Sequence, residues 1–308
     1  MLLIPGHSYR GELPLLAETE EAVSARLRCD VVFLADTIGE RNTDYPEGLT
    51  QAEDFISSRF RELGYGVRLE TYSAGGMAVA NVEATLTGQG NSDEILVVGG
   101  HYDSVPGTPG ADDNASGVAV LLEIARHFSF CRLERTIHFV AFVNEEPPYF
   151  QTEQMGSHVY ARGCLQRKEK IVGMLCLESL GYFSPEPRSQ SYPAPLDKLY
   201  PTTADFITFC GNISSGSLLR DCVESFRATT PFPSESLIAP EGFFSIGWSD
   251  HWAFWQAGYP AIMITDTAFL RNPHYHRKSD VPEHLDYDRM TRVAEGLKHV
   301  VTRLALEK

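Results

Sequence analysis

Histidines and carboxylates stand directly after short apolar runs at several separate places in this sequence. Glu145 and Glu146, for example, follow the five apolar residues Phe139–Val143. Taken singly, such groups are ordinary, because a histidine after a strand is usually structural and adjacent glutamates usually lie on a solvated face. A solvated face is not expected at the end of a buried strand, however. The stretches concerned are His101-Tyr102-Asp103-Ser104, Asn144-Glu145-Glu146, Glu178-Ser179 and His274-Tyr275-His276.

Together these groups have the chemistry of a metal site. In open α/β sheets, ligands bind beyond the carboxyl ends of the strands, so side chains from separate runs would meet at one edge. Carboxylates at a buried edge need cations or hydrogen bonds to stay charged. No lysine or arginine adjoins Glu145 or Glu146 in the sequence. A bound metal is therefore the simplest partner, and mixed histidine and carboxylate ligation suits zinc best.

Asp113 lies in a glycine-rich stretch, Gly110–Gly117, that opens the helix expected at Asn114–Phe128. As the residue directly before this helix, it could cap the helix N-terminus. It could instead supply one more carboxylate to the same edge of the sheet. The residues alone leave both alternatives open.

The elements that would position these groups alternate along the chain, with apolar runs followed by stretches of helical spacing. Such runs are typical of strands buried on both faces, as in an α/β sheet covered by helices. The predicted strands are Ile95–Val98, Ile137–Val143, Ile171–Leu177, Phe206–Cys210 and Ala261–Ile264. The predicted helices are Asn114–Phe128, Gly156–Leu165, Ser217–Phe226 and Tyr287–Leu306.

The N-terminal part has helical spacing from about residue 15 to residue 65 and is expected to pack on the sheet. Two further strands are predicted at Gly66–Tyr72 and Ala78–Leu86. The pattern is interrupted at Pro147–Gln151 and in the proline-rich residues 182–203. Because apolar strands resume after both segments, neither is a domain linker, and residues 1–308 are expected to form one domain.

The composition narrows the classes of partner. The 308 residues include 41 acidic and 26 basic ones, and the formal net charge of −15 disfavours nucleic acids and anionic membranes. No apolar run approaches the ~18 residues of a membrane span. The first residues, MLLIPGHSYR, lack the basic region and apolar core of a signal peptide, so a cytoplasmic location is the default, with export as the alternative.

Taken in order, the motifs resemble those of the zinc exopeptidases of peptidase family M28, which include bacterial leucyl aminopeptidases and to which glutaminyl cyclases are related. The resemblance implies a single α/β domain of the zinc-exopeptidase (phosphorylase/hydrolase-like) type, with a mixed central sheet flanked by helices on both faces. The motifs are His101-Tyr102-Asp103-Ser104, Gly110–Gly117, Asn144-Glu145-Glu146, Glu178, Ser249-Asp250-His251, and Tyr275-His276 followed by Ser279-Asp280.

The family resemblance implies two zinc ions, bridged by a carboxylate and by a water or hydroxide. Carried over to this sequence, it makes Asp113 the bridging carboxylate. It makes His101, Glu146, Glu178 and His276 the terminal ligands, without assigning each one to a particular ion.

The resemblance also implies roles beside the metals. Glu145 would be the general base, Asp103 would hold the second ring nitrogen of His101, and Tyr275 would help to stabilise the oxyanion. The peptide bond after the bridging aspartate is often cis in relatives. Asp250 and His251 match a motif near the pocket in which neither residue is a ligand.

Two departures from the family pattern bear on the substrate. Glu178 stands where relatives more often have aspartate, and its longer arm alters the geometry of the ligand. Pro147–Gln151 adds bulk after the base and could narrow the cleft, which would favour short peptides or a modified amino acid. Aromatic residues around the Ser249 motif could form a specificity pocket or simply pack in the core: Phe243, Phe244, Trp248, Trp252 and Phe254.

The sequence therefore predicts metal-dependent hydrolysis of peptide bonds at a chain end, most simply by an aminopeptidase acting on a peptide or an amino-acid derivative. One alternative is an acyltransferase resembling glutaminyl cyclases, with one zinc ion. The other is a non-catalytic binding module of the same fold. The latter is disfavoured because all five candidate ligands and the base are present.

Overall fold

The short apolar runs of the sequence form the strands of an eight-stranded mixed sheet in a computed structural model of the chain, which describes residues 4–306. The first three and last two residues of the predicted domain, 1–308, lie outside the described residues. The strands are β1 (Val67–Ala74), β2 (Met77–Leu86), β3 (Glu94–His101), β4 (Thr136–Phe142), β5 (Lys170–Glu178), β6 (Ile207–Gly211), β7 (Ser234–Ile238) and β8 (Ala261–Thr265). The order across the sheet is β1-β2-β4-β3-β5-β8-β6-β7.

The four central strands, β4, β3, β5 and β8, run parallel to one another. On either side of them the direction reverses, because β2 is antiparallel to β4 and β6 is antiparallel to β8. The carboxyl ends of all four central strands therefore reach the same edge of the sheet. This is the edge at which α/β proteins bind their ligands.

Helices cover both faces of the sheet, because successive side chains of a strand point to opposite sides. On β3, Leu96 and Val98 pack in one apolar cluster, and Ile95 and Val97 pack in a second one. The first cluster takes in side chains of α1 (Glu18–Val32), α2 (Pro46–Glu62), α3 (Gly117–Phe128), α5 (Gly216–Thr229) and α7 (Tyr287–Leu306), and the second takes in those of α4 (Gly156–Arg167) and α6 (His251–Gln256). The predicted α/β class, with a mixed sheet between helices, is confirmed.

One strand and one α-helix of the described residues were not predicted from the sequence. Strand β7 (SESLI) lies at the edge of the sheet and begins with three polar residues, so it lacks the apolar run that marks the central strands. Helix α6 has only six residues, too few for a helical period to emerge. Among the described helices, none combines the length and the apolar character that a membrane span requires.

Candidate metal centre

The ligand candidates come from five separate places that the fold brings to one edge. His101 is the last residue of β3, and Glu178 is the last residue of β5. Glu146 follows the end of β4, and His276 lies in the segment between β8 and α7. Asp113 lies in the short turn before α3, and the Asp113–Asn114 peptide bond is cis.

These side chains form two groups that share one carboxylate. His101, Asp113 and Glu178 each offer a ligand atom, and these three atoms lie within 4.8 Å of one another. The same holds for Asp113, Glu146 and His276. Asp113 Oδ1 lies 3.2 Å from His101 Nε2, and its Oδ2 lies 3.0 Å from His276 Nε2. The two oxygens of Asp113 thus face different groups, as a bridging carboxylate requires.

Asp113 is not a helix cap. Helix α3 begins at Gly117, and Asp113 makes no side-chain capping bond to it. Its neighbour Asn114 ties the turn to the end of β5, since Asn114 Nδ2 donates to the Leu177 carbonyl at 2.8 Å and Asn114 Oδ1 accepts the Ser179 N–H at 3.0 Å. This pair of bonds places Asp113 beside Glu178.

The burial and charge of the two groups fit a cation. Asp113 and Glu146 are each 4% exposed, and Glu146 Oε1 has no hydrogen-bond partner among the described residues. Burial, together with the charge of Asp113, raises the pKa of Glu146 to about 8. Glu146 Oε1 lies 3.4 Å from His276 Nε2 without a hydrogen bond to it, and a metal ion bound there would stabilise the charged carboxylate. The donor set of two histidines and three carboxylates fits zinc.

His101 is held so that one ring nitrogen is free for a ligand. Its Nδ1 lies 3.1 Å from the backbone oxygen of Asp103, which can only accept, so Nδ1 carries the proton and Nε2 faces Asp113 and Glu178. Burial alone would lower the pKa of His101, but the charges of Glu178 and Glu145 outweigh it and raise the pKa well above its usual value. The raised pKa favours a second proton, on Nε2, and a metal ion would compete with this proton for Nε2.

Asp103 contacts His101 chiefly through its main chain. Its carboxylate Oδ1 lies 3.5 Å from His101 Nδ1, farther than the backbone oxygen. The carboxylate instead accepts the backbone N–H groups of Glu145 and Glu146, each at 3.1 Å. Asp103 therefore joins the end of β3 to the pair of glutamates after β4.

Glu145 belongs to neither group, although it lies next to them. Its Oε2 is 4.0 Å from His101 Nε2, and its side chain lines the pocket that opens on the site. Burial raises the pKa of Glu145 well above its usual value, although the nearby His101 lowers it. A carboxylate that binds no metal ion and has a raised pKa is suited to accept and return a proton near neutral pH.

Tyr275 lines the same pocket. Its ring stacks on that of His276, with 3.8 Å between the ring centroids. Burial and the charge of Asp113 raise the pKa of Tyr275 far above its usual value, so its hydroxyl stays a hydrogen-bond donor.

The Ser249-Asp250-His251 motif acts on the site through Ser249, a role that the sequence did not reveal. Ser249 Oγ donates to Glu178 Oε2 at 2.6 Å, and Ser179 Oγ donates to Glu178 Oε1 at 2.9 Å. Asp250 is buried near Glu178, and burial raises its pKa to about 7. His251 is also buried, and its Nε2 donates to the Ile246 carbonyl at 2.7 Å. Neither Asp250 nor His251 joins the two ligand groups.

The sequence profile of peptidase family M28 matches residues 81–301, which include every residue of both groups. This chain belongs to peptidase family M28. It is 36% identical over 282 residues to the uncharacterized protein YfbL of Escherichia coli K12, covering 88% of this chain and 85% of that protein. It is 28% identical over 255 residues to a probable leucine aminopeptidase 1 of Trichophyton verrucosum, covering 78% of this chain but only 62% of that protein.

Solved structures share the fold of this M28 chain. A zinc aminopeptidase from Bacillus subtilis aligns with a TM-score of 0.72 at 16% identity, covering 92% of this chain and 95% of that one. A glutaminyl cyclase from Fimbriiglobus ruber aligns with a TM-score of 0.64 at 19% identity, covering 97% and 98%. Family membership supports a metallopeptidase with peptide substrates, and the structural likeness confirms the predicted fold.

Two residues behind the candidate ligands hold the turn of Asp113. Asp280 accepts the backbone N–H groups of Asp112 and Asp113, at 2.9 and 3.2 Å. Arg41 is completely buried and donates to the backbone carbonyls of five residues: Leu34, Gly39, Tyr102, Pro109 and Gly110. Burial lowers the pKa of Arg41 to about 10, so the guanidinium stays charged beside the acidic site.

Replacing Arg41 by methionine is expected to lower the free energy of unfolding by about 3 kcal/mol, because buried carbonyl groups that lose a donor cost ~1–3 kcal/mol each. Urea denaturation would measure the change. Arg61→Met, on the exposed side of α2, serves as the control and should change stability by less than about 0.5 kcal/mol. Equal effects of the two substitutions would show that Arg41 does not hold the turn.

A pocket of about 250 Å³ opens on the M28 site. Its floor is formed by the candidate ligand carboxylates together with Glu145 and His276, and no lysine or arginine of residues 4–306 lines it. Its walls are apolar and come from Pro147, Phe150, Trp248, Phe269 and Tyr275. Of the aromatic residues around the Ser249 motif, Trp248 and Phe244 are exposed near this pocket, whereas Phe254 is core.

Proposed function

We propose that this chain is a zinc-dependent aminopeptidase that hydrolyses the peptide bond after an N-terminal residue. The observation that carries the proposal is the pair of ligand groups sharing Asp113, with Glu145 beside them and free of either group. His101, Asp113 and Glu178 would hold one zinc ion, and Asp113, Glu146 and His276 would hold the other.

The charge of the pocket favours the amino end of a peptide. Among the residues that the structure describes, four carboxylates line it and no lysine or arginine does so. A free α-amino group is a cation that an acidic pocket attracts, whereas a terminal carboxylate finds no lysine or arginine to pair with among the described lining residues. Exopeptidase action on the amino end is therefore better supported than action on the carboxyl end.

Bound zinc ions would polarise the scissile carbonyl and lower the pKa of the attacking water. Glu145 takes the proton of that water and passes it to the leaving amine as the C–N bond breaks. Tyr275 donates a hydrogen bond to the carbonyl oxygen as negative charge develops on it. Asp103 holds the backbone of Glu145 in place, and Ser249 fixes Glu178.

The completeness of both ligand groups favours hydrolysis over the one-zinc cyclisation considered above. A cyclase with one ion would leave one of the two groups without a function. The same five side chains also argue against a non-catalytic binding module, since relatives of that kind have lost metal ligands.

End-blocked peptides test this proposal. A peptide amidated at its carboxyl end should release its N-terminal residue at the normal rate. The same peptide acetylated at its amino end should be cleaved at least about a hundredfold more slowly, because the pocket loses its charged partner. Mass spectrometry of the products measures both rates. Faster cleavage of the acetylated peptide, or pyroglutamate formation from an N-terminal glutamine peptide without amino-acid release, would contradict the proposal.

A further inference from the structure

Two aromatic side chains, one exposed and one half-buried, form one wall of the pocket, and a hydrogen bond links the loops that carry them. Phe150 and Trp248, here called the aromatic wall, both line the pocket. Gln151 Nε2 donates to the Gly247 carbonyl at 3.0 Å and so joins the residues next to each ring. Trp248 remains 53% exposed, and Phe150 is half-buried. Rings of this size left open to solvent beside a catalytic site contribute little to the core and are available to a ligand.

The loop of the aromatic wall is also braced from its other side. The Tyr72 hydroxyl, on β1, donates to the Gln154 carbonyl at 2.8 Å. The Tyr149 hydroxyl fills the space that a Cβ at Gly75 would need, so the turn between β1 and β2 packs directly on the loop. Phe150 is thus held between this turn and the Gly247 loop. The segment Pro147–Gln151, which the sequence shows only as added bulk, is a fixed part of the pocket.

The position of the loop indicates which part of a substrate it would face. Glu145 returns its proton to the leaving amine, so the residue on the leaving side of the scissile bond must lie next to Glu145. Pro147 and Phe150 belong to the loop that starts at Glu145, and both line the pocket. Trp248 continues the aromatic surface toward Phe269, with 5.7 Å between the ring centroids.

We propose that the aromatic wall binds the side chain of the residue on the leaving side of the scissile bond and gives the enzyme a preference for an apolar or aromatic residue there. The inference rests on the proposed hydrolysis. An apolar side chain placed against Phe150 and Trp248 leaves water and covers surface that the free protein exposes. A glycine in that place gains nothing from the wall.

Dipeptides that differ only in their second residue test this inference. The zinc-loaded protein should cleave Leu-Phe about tenfold more efficiently than Leu-Gly, chiefly through a lower KM, because apolar contact in a half-open pocket is worth about one order of magnitude. Phe150→Ala and Trp248→Ala should each reduce that ratio to about threefold or less, since each removes part of the apolar contact. The ratio between Leu-Gly and Ala-Gly, which differ in the first residue, should stay unchanged in Phe150→Ala.

Phe130→Ala is the matched control, because Phe130 is 94% exposed and lies between α3 and β4, at the opposite edge of the sheet. It should change neither ratio. Thermal unfolding verifies that each variant is folded, and Trp248→Ala serves alone if Phe150→Ala does not fold. Leu-Phe and Leu-Gly cleaved equally by the wild-type protein, or a ratio unaltered by both wall variants, would overturn the inference and leave the proposed function intact. A change confined to the first-residue ratio would also overturn it. Absence of cleavage of every dipeptide would overturn the proposed function, and this inference with it.

Discussion

Replacing Glu145 by glutamine is expected to lower kcat by about a thousandfold while leaving the zinc content of the protein unchanged. Glutamine has nearly the same shape but cannot take a proton from the attacking water. Glu145 lies outside both ligand groups, so its substitution removes no ligand. Steady-state kinetics and metal analysis on the same preparation would measure the two quantities together.

Glu153→Gln is the control for this substitution. Glu153 lies eight residues further along the same loop region, with its side chain 84% exposed, and its loss should leave kcat within about twofold. Full activity of Glu145→Gln would refute its role as the base. Loss of zinc together with activity would show instead that Glu145 holds the metal.

Replacing Asp113 by asparagine is expected to weaken zinc binding at both groups at once. The two oxygens of Asp113 face His101 and His276 separately, so this one change touches each group. Asparagine offers one neutral oxygen in place of a charged pair. We expect zinc affinity to fall at least about a hundredfold, with hydrolysis lost in parallel, since even changes to groups that only support metal ligands cost ~10–100-fold.

Competition with a chromogenic chelator would measure that affinity. The control is Asp54→Asn, on the exposed face of α2, which should bind zinc as the wild-type protein does. If Asp113→Asn lost one zinc ion and kept the other at wild-type affinity, Asp113 would belong to one group alone.

The strand ends of this protein were readable from the sequence because the central strands are buried on both faces. A continuous apolar run followed by a charged residue, as at Val143 and Glu145, marks the place where a buried strand reaches the ligand edge. The resemblance to family M28 supplied the candidate ligand set. Which ligands share a group required the fold, because His101 and Glu178 meet only through the pairing of β3 with β5.

The supporting residues were less accessible to sequence reasoning. Arg41 acts on backbone carbonyls contributed by segments as distant as Leu34 and Gly110, and backbone acceptors leave no mark in a sequence. In the Ser249-Asp250-His251 motif, the acid and the histidine are the residue types expected at a metal site. It is nevertheless the Ser249 hydroxyl that contacts Glu178. The hydrogen bond between His101 Nδ1 and the backbone oxygen of Asp103 likewise could not be predicted from the residue types.

Diffraction from zinc-loaded crystals at the zinc absorption edge tests the central claim most directly. We expect two anomalous peaks on either side of Asp113, one within ligand distance of His101 and Glu178 and the other within ligand distance of Glu146 and His276. A single peak, or peaks remote from Asp113 in crystals that contain zinc, would contradict a centre of two ions held by these five side chains.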